Sequence, residues 1–189
     1  MEMTPISVES ILLLYREGFP GHDECFCNFR DAFSARLDSY IRKSERYLEG
    51  AILGEIGNNT FDHNFNFTES FPRGIYFDHD AADLIVLADY GCGIRETLSR
   101  VVPTLSSDVD AVETAFTKVI SGRAPEQRGN GLKFVLSGMV DNQWTMYFHS
   151  GHGTCRVADG VVRYESSSSF VSGCLAILGF GNERLERKK

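Results

Sequence analysis

The hydrophobic period changes part-way along this chain, and that change restricts the fold more than any other feature. From about Arg30 the apolar residues Phe33, Leu37, Tyr40, Ile41, Tyr47, Leu48, Ala51 and Ile52 recur at close to helical spacing. Near the other end Trp144, Met146 and Phe148 alternate with Thr145, Tyr147 and His149, the two-residue period of a strand. Helices and a mainly antiparallel sheet, within 189 residues and without an internal repeat, make a two-layer α+β domain.

Local signals fill in the elements. Ser7 caps a helix over Val8 to Glu17, and Gly18-Phe19-Pro20-Gly21 stops it. The helical pattern from Arg30 runs to about His63, with a break near Gly50, and residues 64–72 form a loop. Gly74 to Phe77 and Leu84 to Ala88 read as strands joined by the turn Asp78-His79-Asp80. A short helix follows Gly93. Ser107-x-x-Asp110 caps a helix running to Ile120, and Gly131 to Val140 is another. Asp159-Gly160 is a two-residue hairpin turn between Thr154–Ala158 and Val161–Glu165. Ser166 to Ser169 reads as a loop tip, and Leu175 to Leu178 as a last strand. The expected organisation is a helical extension over residues 1–29, a domain over 30–180 and a charged tail over 181–189.

Charge and composition narrow the function. The balance of 19 basic against 26 acidic residues gives a net charge of −7, and no basic stripe offsets it, which argues against nucleic acid. Anion binding stays open, because backbone N–H groups at a helix N-terminus need no net positive charge. No apolar run approaches the ~20 residues of a membrane span. Met1 to Ser10 lacks a basic n-region, and the odd count of five cysteines, Cys25, Cys27, Cys92, Cys155 and Cys174, matches no common zinc spacing. Reduced thiols in a cytoplasmic protein are expected.

Three short segments carry chemistry. Glu55, Asn59 and His63 are spaced i, i+4, i+8 on one helix face, bordered by Ile52, Ile56 and Phe61. Taken alone they suit a solvated face as well. The apolar run Leu84 to Ala88 ends in Asp89 and is followed by Gly91 and Gly93, where backbone and ligand can approach closely. An ordinary turn has the same look. Gly129-x-Gly131 leads straight into a helix, which points free N–H groups at an anion. The Walker lysine pattern and the dinucleotide-binding glycine fingerprint are both absent.

In this order the three segments resemble the asparagine box and the two glycine boxes of the GHKL superfamily, the gyrase, heat-shock chaperone, histidine kinase and MutL-type ATPases. The resemblance spans roughly Arg30 to Phe180 and is closest to stand-alone kinase-type or anti-sigma-like members. It implies a Bergerat-type sandwich, with helices on one face of a mixed, largely antiparallel sheet. It also implies ATP and Mg²⁺ as ligands. Asn59 would hold Mg²⁺, Asp89 would accept from the adenine amino group, and Gly91, Gly93 and Ile94 would pass close to the base and sugar. Arg128, Gly129 and Gly131 would form the phosphate loop, with Leu132 and Lys133 opening the helix behind it. Glu55 would polarise the attacking nucleophile. The stretch from Ile94 to Arg128 would be an ATP lid. Departures from the family pattern are Thr60 and Asp62 after the asparagine, and Cys174 where a threonine often stands.

The expected function is therefore Mg-ATP binding by a slow ATPase, or by a serine- or histidine-type protein kinase acting on a protein partner in trans. A homodimer is compatible with either. The alternative is a non-catalytic switch whose lid controls a partner. A third reading, a metal-dependent hydrolase, draws on Asp62-His63, Asp78-His79-Asp80 and His149-x-x-His152, which lack the helical spacing of zinc hydrolases.

Overall fold

In the computed structural model the described residues are 7–63, 74–78, 84–119 and 130–181. They form α1 (Val8–Glu17), a 3-10 turn (Asp23–Cys25), β1 (Phe26–Cys27), α2 (Arg30–Ser44) and α3 (Tyr47–His63). β2 (Ile75–Asp78), β3 (Leu84–Asp89), α4 (Gly93–Ser99), α5 (Asp108–Thr117) and α6 (Gly131–Asp141) follow, and the hairpin β4 (Thr145–Ala158) and β5 (Val161–Gly179) closes the fold. The sheet order is β1-β2-β3-β5-β4, antiparallel at each of these pairings. The fold is the expected α+β two-layer sandwich, without the parallel pairing that a mixed sheet would carry among the described residues.

Strand alternation divides the core in two. Ile75, Phe77, Ile85, Leu87, Met146, Phe148, Ala176 and Leu178 face the main helical layer, where Phe33, Ile52, Val112, Phe116 and Met139 meet them. The alternate residues Tyr76, Val86, Ala88, Tyr147, Leu175 and Ile177 face the other way, and α1 covers them with Ile11, Leu12 and Tyr15. The Ser7 hydroxyl accepts from the Ser10 N–H, and Gly18, at φ 77°, ends α1 as a left-handed cap.

The helix from Arg30 breaks at Glu45, which has φ 57°, rather than near Gly50. Gly50, Gly54 and Gly57 are packing positions on α3. A Cβ on Gly50 would fall on Ile41 and one on Gly57 on the Phe33 ring, so these glycines let α2 and α3 approach closely. Arg30 clamps the far end of the pair through Asn58 (3.1 Å) and Asp62.

The C-terminal hairpin is longer than its sequence signals. Asp159 and Gly160 both have positive φ, as the tight turn requires. Ser166 to Ser169 lie within β5 and form no loop tip: Gly151 pairs with Val171 and Gly153 with Ser166, so β5 holds extra residues as a bulge there. The helix capped by Ser107 stops at Thr117, short of Ile120, with Lys118 already extended. No helix among the described residues is long and apolar enough to cross a membrane.

Candidate functional site

The C-terminal end of β3 places Asp89 between the sheet and α3. The residue is buried and stands opposite Cys174 of β5. Its Oδ1 accepts from the Gly91 N–H at 2.8 Å, and its Oδ2 accepts from the Thr60 hydroxyl at 3.0 Å. Gly173 has to be glycine, because a Cβ there would overlap the Asp89 carboxylate. Burial and the Asp89 charge raise the Cys174 thiol well above its usual range, so it stays a neutral wall.

Gly93 opens α4 at φ 76°, and a Cβ would come within 2.8 Å of the Ser150 hydroxyl. That hydroxyl accepts from the Ile94 N–H at 2.9 Å and donates to the Gly173 carbonyl at 2.8 Å. Ser150 thus ties the start of α4 to the strand that walls Asp89. From the opposite face of the sheet, Tyr15 donates to the Asp89 carbonyl at 3.0 Å and accepts from the Gly173 N–H at 3.3 Å.

Asp89, Asn59, Ile94 and Leu132 line one mainly apolar cleft together with Phe148 and Cys174. The cavity is about 30 Å³, room for roughly one or two waters. Glu55 is exposed at the mouth, one helical turn before Asn59, with its carboxylate against Gly131 at the start of α6. The Asn130 side chain does not cap α6, and the positive end of that helix favours a neighbouring carboxylate. Lys133 sits half-buried in the first turn of α6.

Of the residues that the sequence singled out, Asn59, Asp89, Gly93, Ile94 and Leu132 line this cleft, Gly91 donates to Asp89, Glu55 and Gly131 meet each other, and Lys133 follows Leu132 in α6. Arg128, Gly129 and residues 120–127 of the expected lid lie outside the described residues. Thr60, one of the two departures from the pattern the sequence resembles, donates to Asp89. Asp62, the other one, pairs with Arg30. Sequence reasoning missed Tyr15 and the bridging role of Ser150, since no local signal couples residue 15 to residue 89.

Of the hydrolase reading's ligands, His79 and Asp80 lie outside the described residues, and His149 and His152 do not share a site. His149 is fully buried, with Nδ1 3.0 Å from the Tyr147 hydroxyl, and His152 is exposed beside the Ser167 carbonyl. Among the described residues, His22, Cys25 and Asp78 are the group of three whose donor atoms come together. In comparisons with known proteins, no protein-family model and no curated protein matches this chain.

Proposed function

We propose that the chain binds Mg-ATP in the cleft floored by Asp89, and that it is a slow ATPase or a protein kinase acting on a partner protein in trans. The observation that carries this reading is the buried Asp89 carboxylate at the end of an apolar cleft, with Asn59 in the cleft and the α6 N-terminus at its mouth. A carboxylate has about four acceptor positions, so Asp89 can hold Thr60 and Gly91 and still accept from an exocyclic amino group. Apolar walls at Ile94 and Leu132 suit a planar base. The cavity is smaller than a purine, so binding has to move these side chains outward.

The donors present fit the cation. The Asn59 amide oxygen is a hard ligand, and Mg²⁺ keeps several waters and needs few protein groups. When bound, Mg²⁺ would neutralise phosphate charge. The α6 N-terminus presents N–H groups to the phosphates. Glu55, which is solvent-exposed, would orient or deprotonate a water or a protein hydroxyl.

Calorimetric titration with Mg²⁺ and a non-hydrolysable ATP analogue tests the site. Asp89→Asn offers an amide where the Thr60 hydroxyl and the Gly91 N–H donate, and the lost charge-assisted bond should weaken affinity by about 10- to 100-fold. Unchanged affinity in a folded variant removes Asp89 from the site. For wild-type chain that binds, phosphate release at saturating Mg-ATP separates enzyme from switch. Glu55→Ala should lower turnover about 10²–10⁴-fold with little change in affinity. Equal, negligible release by both proteins, with and without cell extract, favours a nucleotide-controlled switch.

A further inference from the structure

The segment that joins α1 to the sheet carries a second cluster, remote in chemistry from the Asp89 cleft. His22, Cys25 and Asp78 hold an imidazole nitrogen, a thiol sulfur and a carboxylate oxygen within 4.8 Å of one another. We propose that these three side chains bind a divalent zinc ion that fastens the α1–β1 segment to the end of β2.

The backbone explains why they meet. His22 and Cys25 are three residues apart on the 3-10 turn, closed by the Cys25 N–H donating to the His22 carbonyl at 3.0 Å. Such a turn has about three residues per revolution, so side chains i and i+3 eclipse and share one edge. The antiparallel register pairs Phe26 with Tyr76, which sets Asp78, two residues further along β2, beside the 3-10 turn that precedes β1. The side chains therefore come from two separate parts of the chain and are held by ladder and turn hydrogen bonds. Cys27, on the opposite face in the helical-layer core, takes no part.

The donor set selects the ion. One thiolate, one imidazole and one carboxylate suit borderline Zn²⁺ and are poor for Mg²⁺ or Ca²⁺, which take oxygen ligands. Tetrahedral zinc places its donors roughly 3.5 Å apart, a small side-chain rotation from the present spacing. The Tyr76 hydroxyl donates to Asp78 at 3.2 Å, the outer-shell support that a ligating carboxylate commonly has. Without an ion, burial and the nearby Asp78 carboxylate hold the Cys25 thiol above its ordinary range, partly offset by the Arg36 guanidinium 3.8 Å from the sulfur, so the metal has to displace the proton. On binding, the Cys25 S–H proton passes to solvent and the sulfur donates its electron pair to the metal. Three protein ligands leave a fourth position for water.

Cobalt(II) is the probe, added to the full chain after treatment with a chelator. The expected result is one Co²⁺ per chain, with tetrahedral d–d absorption and a thiolate charge-transfer band, both abolished by one equivalent of Zn²⁺. Cys25→Ser should remove the charge-transfer band. His22→Gln, at a half-exposed position, should weaken binding by more than about tenfold, since even outer-shell partners are worth about 10- to 100-fold. Cys27→Ser should keep the spectrum. Circular dichroism establishes that each variant is folded. A wild-type chain without thiolate–cobalt absorption at excess Co²⁺, or one whose absorption survives in both folded Cys25→Ser and His22→Gln, overturns the assignment. Nucleotide plays no part in these readouts.

Discussion

Asp89 shows how much one residue's chemistry depends on neighbours far away in sequence. Its oxygens are oriented by the Gly91 N–H, two residues on, and by the Thr60 hydroxyl from α3. Thr60→Val keeps the shape but withdraws one donor from a buried carboxylate. The expected cost is about 1–3 kcal/mol. Urea unfolding should show a lower midpoint with an unchanged slope, because the surface exposed on unfolding stays the same. An unchanged midpoint would mean that the carboxylate turns to another donor at no cost. Glu55, Asn59 and Asp89 were legible in the sequence because each belongs to a pattern within one element, a helical interval or a strand end. Thr60 and Ser150 were not legible as partners, since their bonds depend on how elements pack. Arg128 and Gly129, which the sequence resemblance would make a phosphate loop, lie outside the described residues.

At the scale of elements, the α2–α3 pair turns on glycines that look like helix breakers. Gly57 and Gly54 both stand in α3, and replacing either with alanine gains up to about 1 kcal/mol of helix propensity. They differ in what the new methyl group meets. At Gly57 it would overlap the fully buried Phe33 ring, and overpacking costs about 1–3 kcal/mol. At Gly54 the nearest atom is a Leu37 methyl at 3.4 Å, an ordinary contact. Thermal unfolding should therefore show Gly57→Ala with a lower midpoint and Gly54→Ala with an equal or higher one. The same midpoint shift in both would refute the close-approach account. Propensity alone placed a break at Gly50, because it carries no information about the partner helix. The serine run Ser166 to Ser169 misled in the same way. Its polarity fits a loop, yet the β4 ladder supplies backbone partners that hold it in a bulged strand.

The whole molecule buries both faces of its sheet, and one consequence is electrostatic. In β4 the alternation of Met146 and Phe148 with Tyr147 and His149 reads as one core face and one polar face, but α1 and its neighbours cover the second face. His149 is enclosed there, and burial lowers its pKa from 6.5 to about 4. As pH falls, the unfolded chain takes up this proton first. The contribution from neutral His149 is complete above about 6.5 and is lost progressively down to about 4, by up to ~3 kcal/mol. Unfolding free energies measured across that range should fall more steeply for wild type than for His149→Gln. Parallel curves would show that His149 titrates alike in both states. The second-face cover also gives Tyr15 its reach. Its hydroxyl bonds the Asp89 carbonyl, and its own carbonyl accepts from Tyr90 at 2.7 Å while the two rings stack. Lifting α1 away has to break the same bonds that fix the cleft floor, so helix and floor share one free energy of local opening. By reciprocity, any molecule that gripped the outer side of α1 would change the occupancy of a cleft it never touches, and a ligand in the cleft would change the grip by the same factor.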